Sequence, residues 1–252
     1  MKWKFHSISI CLFYFHILLL SVMANANADE TDVRALIRKV ETQYQGNTSH
    51  AIVRMQIVTE SWSREIVMEI WSKGRDMFLA RILSPKKDEG VASLKIGEEM
   101  WNYLPNIDRL VKIPSSMMGE SWMGSNLTND DLVKENRIDM LYNFSMDNKG
   151  EEVEITAIPK PEAPVVWGKL VYRLRLNKLI PLYVDYFDED NRLARKITFD
   201  RVKDISGRSV PLHMVVQPVD KPREMTELTY TKLEFDVKLP DNFFSIRSLR
   251  RQ

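Results

Sequence analysis

The chain has 252 residues, 44% apolar and 28% charged, with 36 basic side chains against 35 acidic ones and a single cysteine. So even a charge balance provides no basic field for nucleic acid. The lone cysteine, Cys11, excludes a disulfide framework, and because it falls in a leader segment the rest of the chain has no thiolate chemistry, cysteine metal site or lipidated cysteine.

That leader is legible at once. Lys2 and Lys4 precede an almost unbroken apolar run from Ile8 to Val22, and Ala24-Asn25-Ala26 and Ala26-Asn27-Ala28 are both small-x-small cleavage sites. The pattern is that of a secretory signal peptide over 1–28, leaving Asp29 as the first mature residue, and the apolar run is short for a membrane-spanning helix. Without Lys2 and Lys4, 34 basic residues remain against 35 acidic ones, a net charge of −1. An exported domain of this size without disulfides points to a bacterial periplasm. Residues 29–252 contain no internal repeat, low-complexity segment or Gly/Ser-rich linker, and about 220 residues suit one all-β domain with a sizeable core.

Residues 31–44 read as an amphipathic helix: Val33, Leu36, Ile37, Val40 and Tyr44 fall on one stripe, and Gly46 ends it. From there the apolar period changes to two. Ala51, Val53, Met55 and Ile57 alternate along one segment, Ile66, Met68 and Ile70 along the next, and Lys73-Gly74 turns into a third over 77–83. A loop over 85–90 leads to a short strand at 91–96. Strand-like pieces at 100–104 and 107–113 flank a Pro105-Asn106 turn.

Pro114 ends the regular pattern and opens a loop rich in Ser, Gly and Met. It carries Met117, Met118, Trp122 and Met123, large apolar side chains where turn chemistry is normally polar. Apolar loops of this length are uncommon and often functional. Thr128-Asn129-Asp130-Asp131 closes it as the start of a short helix, with Thr128 as N-cap and acids in the first turn.

Alternation then resumes through Tyr142, Phe144 and Met146, then Val153, Ile155 and Ala157, and is broken by Pro159 to Pro164. Further strands are marked by Leu170, Tyr172 and Leu174; by Leu182, Val184 and Tyr186; by Leu193, Ile197 and Phe199; and by Val210, Leu212, Met214 and Val216. The last strand shifts phase between Tyr230 and Leu233, the mark of a bulge. Leu239-Pro240-Asp241-Asn242 is expected to open a short terminal helix carrying Phe243, Phe244 and Ile246. Roughly ten or eleven strands, each with one apolar face, make a large antiparallel sheet. A sheet so wide curls. The expected fold is mainly β: a half-open barrel with a few helices plugging its concave face.

Several runs together resemble a known family. They are Pro85 with Gly90-Val91-Ala92-Ser93-Leu94; Met100-Trp101-Asn102-Tyr103-Leu104-Pro105; Arg109; Lys112-Ile113-Pro114-Ser115; Met123-Gly124-Ser125-Asn126; and Thr128-Asn129-Asp130-Asp131. Pro181-Leu182-Tyr183-Val184-Asp185-Tyr186 and the terminal Asp241 to Phe244 add to the likeness, which is to the outer-membrane lipoprotein-sorting proteins (LolA-like) and covers most of the mature chain. The resemblance implies a LolA/LolB-type half-barrel around an apolar cavity for acyl chains. A fatty chain cannot cross water unshielded, because each buried methylene is worth about 0.8 kcal/mol. Such a cavity must be dry, roughly a few hundred Å3 or more, and able to open. Met suits its rim because its flexible side chain fits variable shapes. The candidate cavity and lid residues are therefore Met117, Met118, Trp122 and Met123, with Trp101 and Tyr103 on the strands beneath; the competing reading of each is a core residue.

Catalytic readings are weaker. Only His50 and His213 lie outside the leader, in separate strands and without metal-ligand spacing. Ser121 in Gly119-Glu120-Ser121-Trp122-Met123-Gly124 has one residue too many before the second glycine for a nucleophile elbow. Asp185, Asp188, Glu189 and Asp190 lack the alternation and Gly of a calcium loop and read as a solvated turn. Asp130 and Asp131 read as helix N-terminal acids, and Arg173 and Arg175 as a polar strand face. No catalytic residue, metal or cofactor is expected. The expected function is a periplasmic carrier or chaperone that takes acyl chains of lipid or lipoprotein from an inner-membrane transporter to an outer-membrane acceptor. The alternative is an accessory subunit of an inner-membrane exporter, acting through protein–protein contacts.

Overall fold

A computed structural model describes residues 30–43, 45–134 and 137–250. The leader over 1–28 and Tyr44 lie outside the described residues. Helix α1 (Glu30–Gln43) comes first, followed by β1 (Thr48–Val58), β2 (Ser63–Lys73), β3 (Met77–Ser84), β4 (Ala92–Ile96), β5 (Glu99–Leu104) and β6 (Arg109–Lys112). Two short helices follow, α2 (Asn129–Lys134) and α3 (Ile138–Leu141). The chain then runs through β7 (Tyr142–Lys149), β8 (Glu152–Pro159), β9 (Lys169–Arg175), β10 (Ile180–Phe187), β11 (Leu193–Ile205), β12 (Arg208–Pro218) and β13 (Met225–Phe235) to α4 (Ile246–Leu249).

Among the described residues, thirteen strands form one antiparallel sheet in the order β6-β5-β4-β3-β2-β1-β13-β12-β11-β10-β9-β8-β7. Each alternating segment of the sequence makes its own strand, which raises the count above the roughly ten or eleven expected. The sheet is two meanders sewn together by the β1–β13 pair. It does not close: β6 and β7 are its two edges. Those edge strands are consecutive in sequence, so residues 113–141 must pass from one edge of the sheet to the other. They do so across the inner face, carrying the Met-bearing loop, α2 and α3.

Alternation decides which side chains face inward. In β1, Ala51, Val53, Met55 and Ile57 are all at most 2% exposed. They pack with Ile66, Met68, Ile82, Val210 and Val216 beneath Trp122, Leu127 and Val133 of the crossing segment. Helix α1 places Val33, Ile37 and Val40 on one stripe against Tyr142, Ile155, Leu170 and Leu174. Burying each such side chain is worth about 1.5–3 kcal/mol, which keeps α1 on the sheet. The β1–β13 register jumps from Ile52 opposite Lys232 to Val53 opposite Tyr230, so Thr231 is the extra residue of the expected bulge.

A third cluster lies on the outer face. Leu79, Ala92 and Leu94 pack there against Phe244 and Leu249. The terminal helix starts later than Leu239 to Asn242: Ser245 is its N-cap, its hydroxyl accepting from the Ser248 N–H at 3.3 Å. No helix among the described residues is long and apolar enough to cross a membrane.

Candidate functional site

Between the inner face and its covering segment lies a cavity of about 210 Å3. Its wall is rich in rings: Phe78, Trp122, Tyr142, Trp167, Tyr186 and Phe199 line it, with Ile70, Leu127 and Ile197 among the aliphatic neighbours. At roughly 10–15 Å3 for one water, the space is large for a packing defect. It separates the central core cluster from the cluster under α1, and Tyr186 and Phe199 border both.

Two largely buried ion pairs tie the cover to the sheet. Thr128 and Asp131 form a reciprocal cap at the start of α2: the Thr128 N–H donates to Asp131 Oδ2 at 2.8 Å, and the Asp131 N–H to Thr128 Oγ1 at 3.1 Å. The same carboxylate takes a two-pronged bond from Arg195 of β11, at 2.7 and 2.8 Å, and Arg195 also donates to the Asn126 carbonyl at 3.2 Å. The guanidinium sits 4.2 Å from the Tyr186 ring centre and 4.7 Å from that of Trp167. Burial alone would raise the Asp131 pKa, but the Arg195 bonds and charge, with the Thr128 bonds, carry it below the ordinary carboxylate value. Burial likewise opposes the charge on Arg195, and Asp131 outweighs it in the same way. The pair is therefore charged in the fold.

At the other tie, Arg75 in the β2–β3 turn donates to both carboxylate oxygens of Asp139 in α3 and to Glu41 of α1 at 3.2 Å. Burial works against its charge, and the two carboxylates reverse that effect. Lys95, 1% exposed, donates to the Leu132 carbonyl at 3.1 Å. Burial pushes the Tyr142 phenol pKa up, helped by Asp130 and Asp131, so Tyr142 is a neutral donor, to Trp167 O at 3.4 Å.

Of the six residues singled out in the sequence, Trp122 alone lines the cavity. It is 2% exposed, its indole N–H donates to Ser93 Oγ at 3.1 Å, and its ring meets Phe78 edge-on. Met118 and Met123 pack half-buried against the central core, and Met117 is 47% exposed. Trp101 and Tyr103 do not stand beneath the loop. In β5, Met100 takes the inner face, so alternation turns both neighbours outward, toward Leu94 and Phe243. Ser121 donates to the Ser125 carbonyl in a turn, with no base beside it in that bond. His50 and His213 each bridge two carboxylates across strands, Glu69 with Glu234 and Asp200 with Glu227. Asp188 accepts from the Arg192 N–H within its turn. Among the described residues no cluster of His, Cys, Asp or Glu could hold a metal.

Arg195, Arg75 and Lys95 are cavity residues that no sequence motif marks. A signal for Arg195 existed: it occupies the inward phase shared by Ile197 and Phe199, where a charge demands a buried partner.

A family model described as "Uncharacterized protein" matches residues 74–251. No curated protein matches the chain. Solved structures share its fold, three of them as follows. A DUF1329 family protein from Desulfovibrio piger aligns with a TM-score of 0.79 and 23% identity, over 87% of this chain and 98% of that one. A putative outer membrane lipoprotein-sorting protein domain from Vibrio parahaemolyticus gives 0.75 and 21%, over 88% and 100%. A LolA superfamily protein from Nitrosomonas europaea gives 0.70 and 15%, over 85% and 98%.

Proposed function

From the premise that the chain belongs to the family whose model matches residues 74–251 and has the LolA-like fold, we propose that it is a periplasmic carrier that shields acyl chains of a lipid or lipidated protein and moves them toward the outer membrane. The observation that supports this reading is the aromatic and aliphatic cavity under a cover tied to the sheet by polar side chains. The work is non-covalent. At about 0.8 kcal/mol per methylene, six buried methylenes contribute about 5 kcal/mol. A cavity of about 210 Å3 takes part of one chain. For a longer chain the cover must shift, with Met117, Met118 and Met123 as its adaptable side chains and Trp122 as its fixed wall. The leader over 1–28 would deliver the protein to the periplasm as a single domain over 29–252. An inner-membrane transporter would supply the cargo and an outer-membrane acceptor receive it.

The test is native mass spectrometry of the mature protein purified from the periplasm without detergent, followed by solvent extraction. A discrete added mass that resolves into a lipid or acylated peptide is expected. A bare mass, with no uptake when lipids are added back, refutes the reading.

A further inference from the structure

The charges around the cavity leave no positive excess. Arg75, Lys95 and Arg195 face it beside Glu41, Asp130 and Asp131. Asp139, bonded to Arg75 from behind, is one carboxylate more. Arg195 gives both of its terminal nitrogens to Asp131, and Arg75 divides its own between Asp139 and Glu41. An entering phosphate or carboxylate would meet guanidinium groups whose terminal nitrogens are engaged, with only their Nε–H groups left to donate, beside nearby carboxylates, and a desolvated anion so poorly compensated is strongly disfavoured.

Polar atoms of three cavity-lining residues are in a different condition: Arg195 Nε, Arg75 Nε and Gln45 Oε1, of which the last two lie on neighbouring segments. Arg75 Nε is a buried donor and Gln45 Oε1 a buried acceptor, and neither has a hydrogen-bond partner among the described residues. Both residues line the cavity. Their segments are held side by side, the Gly74 N–H donating to the Asn47 carbonyl at 2.8 Å. A buried polar atom left unmatched costs about 1–3 kcal/mol, so this corner favours a ligand that matches both. The matching group accepts from one and donates to the other without bringing charge. A hydroxyl or a carboxamide does this; a phosphate does not.

We propose that the cavity selects amphiphiles with an uncharged hydrogen-bonding head, a hydroxyl or carboxamide seated between Arg75 Nε and Gln45 Oε1, and discriminates against anionic lipid. The chain of such a ligand lies along the aromatic wall. This rests on the carrier reading and narrows its cargo.

The test uses delipidated mature protein and quenching of tryptophan emission by one brominated acyl chain carried on four heads: a monoacylglycerol, a primary amide, a methyl ester and the glycerol phosphate monoester. Monoacylglycerol and amide are expected to bind at least tenfold more tightly than the phosphate. Gln45→Met, which keeps side-chain length and removes the acceptor, should raise the Kd of the two donor heads about two- to tenfold. It should leave unchanged the Kd of the methyl ester, which has no proton to give. A phosphate that binds as well as the glyceride overturns the selectivity and leaves the carrier reading standing. Equal effects of Gln45→Met on glyceride and ester, or none on either, overturn the placement of the head. If none of the four quenches, both readings fall together.

Discussion

Removing the Arg195 guanidinium should be among the most damaging single changes to this fold. Arg195→Met keeps the length and apolar stem of the side chain but strands the Asp131 carboxylate, whose side chain is 11% exposed, with only its Thr128 bonds. It also deletes the bond to the Asn126 carbonyl and the stacking on Trp167 and Tyr186. Breaking a buried pair from one side costs about 3–5 kcal/mol, against about 5–15 kcal/mol for a whole domain. For a domain of this size the melting temperature should fall by roughly 6–20 °C. The Asp131 pKa is lower in the fold than in the unfolded chain, where it is about 3.9. The pair's contribution is therefore full above about pH 4 and disappears as the pH falls through the folded-state value. Urea unfolding of both proteins at neutral pH and at about pH 3, followed by circular dichroism, measures the two gaps. The neutral gap should be large and the acid gap smaller. Arg195→Met combined with Asp131→Leu should recover most of the loss, since an apolar pair in place of a buried ion pair is often neutral. A neutral gap below about 1 kcal/mol, or one that does not shrink in acid, refutes the account of the pair.

Three further outcomes follow from where individual side chains lie. Met117→Ser should leave stability within about 0.5 kcal/mol, whereas Trp122→Ser should cost about 3–5 kcal/mol and remove the indole bond to Ser93; chemical denaturation separates them, and equal effects refute the division of the loop into rim and wall. Trp101→Ser with Tyr103→Ser should leave acyl-chain binding intact, because both face away from the cavity; lost binding in a protein that still melts cooperatively contradicts that placement. Ser245→Ala should cost about 1 kcal/mol by uncapping α4, seen as a small drop in the urea midpoint with an unchanged slope, and no drop argues against the cap.

The strands and the first helix were legible because their signals are local. An inward residue every second position is written in any five residues of β1, and the phase slip at Thr231 shows as a broken alternation between Tyr230 and Leu233. The cavity was less legible because facing depends on register as well as residue type. Trp101 and Tyr103 look like lining residues until Met100, less conspicuous, takes the inner face. The ion pairs were harder still. Asp131 and Arg195 are 64 positions apart, as are Arg75 and Asp139, and no periodicity links residues so distant. What can be read in advance is half of each pair: an arginine in the inward phase of β11, and an acid at the third position of a capped helix. The late start of α4 has a similar cause, since Pro240 suggests a helix opening while the residue that satisfies the first free N–H groups is Ser245.

The crossing of residues 113–141 from β6 to β7 constrains how cargo can enter. A flap has a hinge and a free end; this segment is anchored to both edges of an open sheet, like the chord of an arc. A chord of fixed length cannot swing clear. It gains slack when the arc tightens. On the carrier reading proposed above, loading the cavity would be coupled to the curvature of the sheet. A partner that presses the β6 and β7 edges together would open the protein without touching the cover, and one that draws them apart would shut it.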